Sequence, residues 1–570
     1  MFKLQISALC VSFLILTSCT TARLQPYQSE NKVFSSFLAG SYASRIKESQ
    51  FRSDYLTTAF RYSDYEVSLG QKAISSAIVA NNLPLAHQHA EIINIKDKND
   101  PLSNFVLGQQ TFSQGLHETA AQYLTHEANE VTISIVMGLL AGWNYVALND
   151  IDKAREEFLS LEGGVYFQNL GQLQIAKAEG LIGDSDQALE AFKLVEDSGQ
   201  LQTEYILSKA RFLSSINRNK DALLELEHYS NKNNLRGGGP VESYIKLLKS
   251  QKLSNIRLTA VQEAARSLTE PSYWFFVANR SSDAGEILLR LALDLDPSHD
   301  KAAIWLGELL ENTRRPSEAL DLYLNVSNKS IYNISAKLAA ANLYLNKKSD
   351  LKAFNILQKL NTDKSMAVTM EALGRAYIIR ENYIKALPIY NDLILKMTDQ
   401  ELKANLQPLY FRGICYERVG KWDKAEDDFK KVLSINPNYA DALNYLGYTW
   451  IDRGEYLSES LEMIQKAVEL SPNNGAIIDS LGWAYYKLGD LKKAKLHLEV
   501  AVEMSPTSAT IIDHLGDVYW VTERKKEAMY QWERALNYNP TTKEKNYIVE
   551  KLKGQFQYQN QALELNHSGE

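Results

Sequence analysis

The chain has 570 residues, 45% of them hydrophobic and 23% charged, and a net charge of −7 at pH 7. That balance fits a packed, ordered protein rather than a disordered one. The negative charge is spread along the chain and argues against nucleic acid as a partner, which needs a basic surface.

The chain opens with Lys3 and a short apolar run from Leu4 to Leu16. The run is too short to span a membrane as a helix and reads as a signal segment over residues 1–18. Leu16-Thr17-Ser18-Cys19 resembles a bacterial lipobox. The resemblance implies cleavage before Cys19, which then becomes the lipidated N-terminus. An ordinary secretory signal followed by a chance cysteine is the alternative. Thr20 stands where lipoproteins held at the inner membrane usually carry aspartate, so the resemblance implies outer-membrane anchoring, with the inner membrane as the other possibility. Acyl chains would hold the protein at about 0.8 kcal/mol per buried CH2. Cys10 leaves with the signal, so the mature chain cannot form an intramolecular disulfide. Cys415 reads as a small apolar filler, with a reactive thiol as the alternative. Residues 19–33 read as the lipidated cysteine and a polar tether.

An N-terminal helical arm is expected over 34–236. Ala39-Gly40 and Tyr55 to Tyr62 suggest a degenerate first unit. After that, small residues recur every 34 positions at Ala86, Ala120, Ala154, Ala188 and Ala222. Gly108, Gly142, Ala176 and Ala210 precede four of them at a fixed offset, as paired helices in close contact require. Gly237-Gly238-Gly239-Pro240 breaks the pattern, since such a run is costly within a helix. A joint and spacer over 237–265 is the reading favoured over a phosphate-binding loop, because no Gly-Lys-Ser/Thr follows. A second arm is expected over 266–542. It contains Gly285, Leu289 and Ala292, then Gly307, Ala319 and Tyr323, then Gly374, Ala386 and Tyr390. Extra residues are expected near Lys396 to Leu402. Residues 543–570 read as a capping helix and tail.

Between Leu406 and Pro540 one pattern is written four times. Its glycines are Gly413, Gly447, Gly482 and Gly516, and its prolines Pro437, Pro472, Pro506 and Pro540. Leu409-x3-Gly413-x2-Tyr416, then Ala425-x3-Phe429, resembles the tetratricopeptide repeat (TPR). The resemblance implies an all-α superhelical solenoid of about thirteen helix-turn-helix units, each stacking on its neighbours to bury an apolar face. Asp479-Ser480-Leu481-Gly482-Trp483 further resembles the long TPR lipoproteins and periplasmic TPR proteins of alphaproteobacteria.

In TPR proteins the first helix of each unit, helix A, lines a concave groove. Carried onto the last four units, the groove is expected to hold Tyr410, Asp441, Tyr448, Asp479, Trp483, Tyr486, Asp513, Asp517 and Trp520. An aromatic and acidic strip of this kind suits an extended or helical segment with apolar and basic side chains. Packing between repeats is the alternative role for the same residues. The clamp for chaperone C-termini is excluded, because its Lys and Asn positions hold Tyr410, Ile414, Tyr445, Ala476 and Ser480, and no better set one unit later. His117-Glu118 and His126-Glu127 begin a zinc-binding pattern but lack its second histidine. No enzymatic activity, cofactor or metal is expected. The expected function is a membrane-anchored periplasmic scaffold in envelope assembly or export. An accessory subunit of a secretion or pilus machine, or a regulator of a peptidoglycan enzyme, are the alternatives.

Overall fold

The computed structural model describes residues 24–124, 130–182, 184–199, 202–233, 235, 238–250, 257–278, 282–364 and 366–556. The expected signal peptide 1–18, Cys19, His126-Glu127, Gly237 and the tail beyond 556 lie outside them. All regular structure among the described residues is α-helical, in 31 helices packed as antiparallel pairs in a TPR-like superhelix. No helix among them is long and apolar enough to cross a membrane.

The repeat is set by its turns as much as by its core. Many A helices are followed by a residue in the left-handed region, by Asn81, Gly115, Asn149 and Asn217 and by Gly420, Gly454 and Gly489, and in other repeats by Arg314, Lys348, Glu381 and Glu523. Asparagine and glycine adopt that conformation at least cost. The following helix is often capped at once: Asn82, Asp150 and Asp490 accept the free N–H three residues on, which satisfies a donor the helix itself cannot. The small residue of helix A marks where the pair crosses. A Cβ on Gly516 would stand 2.5 Å from Trp532.

The chain forms two compact units, Met1–Leu360 and Asn361–Glu570. The joint expected at 237–265 therefore falls inside the first unit, and the arm expected to begin at 266 begins inside the helix Ala260–Ala278. The reason is a hairpin that folds back. Ala260–Ala278 packs on the A helices Val131–Ala147 and Val165–Ile182, and Ser282–Leu295 packs on the A helices Val67–Val79 and Pro101–Ser113. Phe275 is fully buried, with Phe167 at 6.2 Å between ring centroids. Burying one such ring contributes about 1.5–3 kcal/mol. Polar ties hold the hairpin in register: Arg52 to Asp283 at 2.5 Å, Gln109 to Asp294 at 2.8 Å and Lys177 to Glu263 at 2.7 Å. The inner face of the N-terminal repeats is thus filled by the protein itself.

The tether expected over 19–33 is helical from Leu24, in the helix Leu24–Arg45. Pro26 falls in its first turn, where a missing N–H leaves no bond unmade. Phe34, Leu38, Tyr42 and Ile46, each four residues after the last, are all about half exposed or more. The extra residues near 396–402 form the short helix Asp399–Ala404, closed by a Thr398–Glu401 capping box.

Candidate functional site

The expected groove lies in the second unit, on the A helices Gln407–Arg418, Ala440–Arg453, Gly475–Lys487 and Ala509–Val521. Ala440–Arg453 and Gly475–Lys487 touch side by side, as do Gly475–Lys487 and Ala509–Val521. Side chains facing the same way therefore form a continuous strip.

The strip divides into an open and a closed part. Asp441 is exposed, and Tyr448 and Trp483 are half-buried. Burial pushes the Tyr448 phenol far up, so it stays a neutral hydroxyl. The Asp452 side chain is 55% exposed and lies 3.5 Å from Lys487, which is buried. Tyr410 instead packs among Phe429, Tyr439 and Tyr445, so it belongs to the contact between repeats.

Trp483 is not a free platform. It stacks on His514 at 4.0 Å and on Tyr486 at 4.7 Å. Tyr486 is buried. His514 in turn bonds the Asp479 carboxylate at 2.9 Å. Burial works against a charged imidazole, but Asp479 outweighs it and raises the His514 pKa above its ordinary value. The Trp483 Nε1–H is buried and finds no acceptor among the described residues. An orphaned donor of this kind costs about 1–3 kcal/mol.

Beyond Trp483 the strip closes. The last helix, Thr542–Leu552, places Lys551 between Asp513 at 2.8 Å and Asp517 at 2.6 Å. Burial opposes the Lys551 ammonium, but the two carboxylates outweigh it and raise its pKa. Burial pushes Asp517 up to about 7, against the pull of Lys551 and with Asp513 adding to the rise. Trp520 lies 5.2 Å from Trp532 and 6.3 Å from Phe556. Asp513 and Asp517, expected in the groove, are therefore held by the capping helix, and Trp520 packs on Trp532 of the preceding helix and on Phe556 beyond the cap. Asp479 and Tyr486 are likewise spent on contacts within the protein. The acidic character expected of the strip survives at Asp441 and, partly balanced by Lys487, at Asp452.

Sequence reasoning missed Lys551 and His514. Both occupy positions of ordinary polar character, and their partners lie 34 to 38 residues away. The one signal was the period itself, since 34 residues is the distance between equivalent positions in neighbouring repeats. Cys415 is fully buried, and burial pushes its thiol up to about 12, as befits a filler rather than a nucleophile.

The second unit is thus a solenoid of paired helices with an open strip on its A helices. Residues 407–439 and 477–508 match the tetratricopeptide repeat family. The chain therefore carries TPR repeats in its second unit. It is similar to a TPR repeat-containing protein of Pseudomonas aeruginosa, 30% identical over 212 residues, covering 35% of this chain and 33% of that one. It is also similar to the BBSome complex member BBS4 of Bos taurus, 31% identical over 135 residues, covering 23% of this chain and 24% of that one. The chain thus spans a third or less of the length of these relatives. Among solved structures, the APC/C hetero-tetramer Cut9-Hcn1 aligns over 94% of this chain and 99% of that one, with 14% identity and a TM-score of 0.38.

Proposed function

We propose that this protein is a lipid-anchored scaffold of the bacterial cell envelope, which holds a protein partner in the open strip of its second unit. The strip runs from Asp441 through Tyr448 to Trp483. The observation that carries the reading is its contrast with everything around it. The inner face of the first unit is filled by the helices Ala260–Ala278 and Ser282–Leu295, and the last repeat is closed by Lys551. Along the strip Asp441 is exposed, and Tyr448 and Trp483 keep part of their surface accessible. That surface suits an extended segment with apolar and basic side chains.

Anchoring through Cys19 rests on the lipobox-like Leu16-Thr17-Ser18-Cys19. The exposed stripe Phe34, Leu38, Tyr42 and Ile46 supports it, because an apolar helix face close to acyl chains can rest on a lipid surface. Outer-membrane attachment on the periplasmic side and a role in envelope assembly or export follow from the same resemblance. Metabolic labelling with a clickable palmitate analogue tests the anchor. Labelling that persists in Cys19→Ser would overturn it. The groove is tested by binding of purified partner to Tyr448→Ala combined with Asp441→Lys. An unchanged affinity would contradict the reading.

A further inference from the structure

The first unit encloses a cavity of about 240 Å³, remote in sequence from the strip above. Five segments meet around it: the helices Gln202–Ser215 and Pro240–Lys249, the helix Ala260–Ala278, the start of Asp300–Asn312, and the turn 329–332. A space of this size holds on the order of eight water-sized groups, which is the scale of a small organic molecule and too small for a folded peptide.

Its walls are of two kinds. Leu247, Leu258, Ile331 and the rings of Tyr244 and Tyr332 supply apolar surface. The polar wall carries four cations, Arg211, Arg266, Lys301 and the exposed Lys329, and the acceptors of the inner three can be followed one by one. Lys301 is spent on Glu204, at 2.9 Å, and on Glu270. Arg211 gives one terminal nitrogen to Glu204 at 3.1 Å and Ser208 at 3.0 Å. Its other terminal nitrogen has no acceptor among the described residues, and its Nε–H is buried unpaired. Arg266 gives one terminal nitrogen to the Gln262 carbonyl at 2.7 Å and to Asp296 at 2.9 Å, and its Nε–H too is buried unpaired. The Tyr332 hydroxyl makes no hydrogen bond among the described residues. Buried donors of this strength are rarely left without partners.

The charges set the kind of ligand. Arg211, Arg266, Lys301 and Lys329 stand against Glu204, Glu270, Asp300 and, through its bond to Arg266, Asp296. Burial raises the Glu270 pKa, with Glu204 adding to the rise and Lys301 opposing it. Burial likewise raises the pKa of Asp300. His299 adds no charge: burial holds its pKa well below the ordinary value, and its Nε2 lies 2.8 Å from Thr269 Oγ1. With the charges paired in this way, the unpaired guanidinium donors suit a single anionic group and disfavour a dianion such as phosphate. A guanidinium edge with a phenol beside it suits a planar carboxylate.

We propose that this cavity binds a small monocarboxylate with a compact apolar or aromatic body, its carboxylate held by Arg211 and Tyr332 and its body against Tyr244, Leu247 and Ile331. Occupancy would join the helices of the N-terminal repeats to the fold-back hairpin, since Arg211 and Tyr244 belong to the first and Arg266 to the second.

The experiment is calorimetric titration of the full mature chain with phenylacetate, hexanoate, phenylacetamide and inorganic phosphate. At least one carboxylate is expected to saturate at ~1 mM or below. Phenylacetamide and phosphate are expected to bind at least about tenfold more weakly. Arg211→Gln should weaken the carboxylate by about tenfold or more. Ile331→Trp, on a half-buried turn, should block it by filling the space. If Arg211→Gln does not fold, Ile331→Trp decides alone, with helical circular dichroism showing that it folds. The proposal is overturned if neither carboxylate saturates, if the amide or phosphate binds as well, or if Ile331→Trp binds like the parent.

Discussion

Lys551 reaches from the last helix to Asp517 at 2.6 Å, and its side chain is 1% exposed. One ammonium thus joins the capping helix to two carboxylates of the final A helix. A buried pair of this kind matters most when half of it is removed, because the remaining charge has neither water nor partner. Lys551→Met should therefore lower the stability of the last repeat by about 3 kcal/mol or more. Hydrogen exchange over residues 509–552 measures this, since solenoids open locally from their ends. Adding Asp513→Asn and Asp517→Asn to Lys551→Met should restore much of the protection.

The same end of the second unit should be pH-sensitive. His514 has its pKa raised by Asp479, and Asp517 is pushed up to about 7. Each group binds its proton more tightly folded than unfolded. Its stabilisation is complete below the unfolded pKa and is lost as pH rises through the folded one. Protection over 475–552, corrected for intrinsic exchange, should fall as pH rises from about 4 towards 7 through Asp517, and further above about 6.5 as His514 loses its proton. His514→Gln should flatten the part of that slope that belongs to the imidazole. A rise in protection across the same interval would contradict both assignments.

Gly516 and Trp532 test the packing of a single repeat. With 2.5 Å between an added Cβ and the indole ring, Gly516→Ala must displace a fully buried tryptophan. The expected loss is about 1–3 kcal/mol, despite the better helix propensity of alanine. Urea unfolding followed by tryptophan fluorescence reads it. An unchanged midpoint would show that the helix pair can separate there freely.

The fold-back hairpin makes a separate prediction for the first unit. Phe275→Ala removes a fully buried ring and should cost about 3–5 kcal/mol. The hairpin would then leave the inner face before the repeats themselves unfold. Limited proteolysis should cut the variant first within the segment around 250–282. A cut that appears first elsewhere would contradict the idea that Phe275 secures the hairpin.

These residues also show what was readable in advance. The 34-residue period and the close crossing at Gly516 are local, so they stand in the sequence at fixed spacing. The fold-back of 260–295 is not local. Its contacts join Arg52 to Asp283, 231 residues apart, and no period encodes that. The cavity is hidden for the same reason, since Arg211 and Tyr332 meet only after the hairpin has folded back. In the strip, aromatic and acidic residue types were legible but their state was not. Asp441 and Asp517 look alike in the sequence, yet one is exposed and the other is bound by Lys551.

The central claim is that the strip from Asp441 to Trp483 receives a partner's apolar and basic segment. Site-specific photo-crosslinking in cells tests it most directly, with the reactive residue at Tyr448 and a comparison at Tyr530, which is exposed on a second helix of its repeat. Mass spectrometry then identifies the captured segment. The account predicts a discrete product at position 448, absent at 530, whose crosslinked stretch carries lysine or arginine among apolar residues. Equal capture at both positions, or an acidic segment at 448, would contradict it.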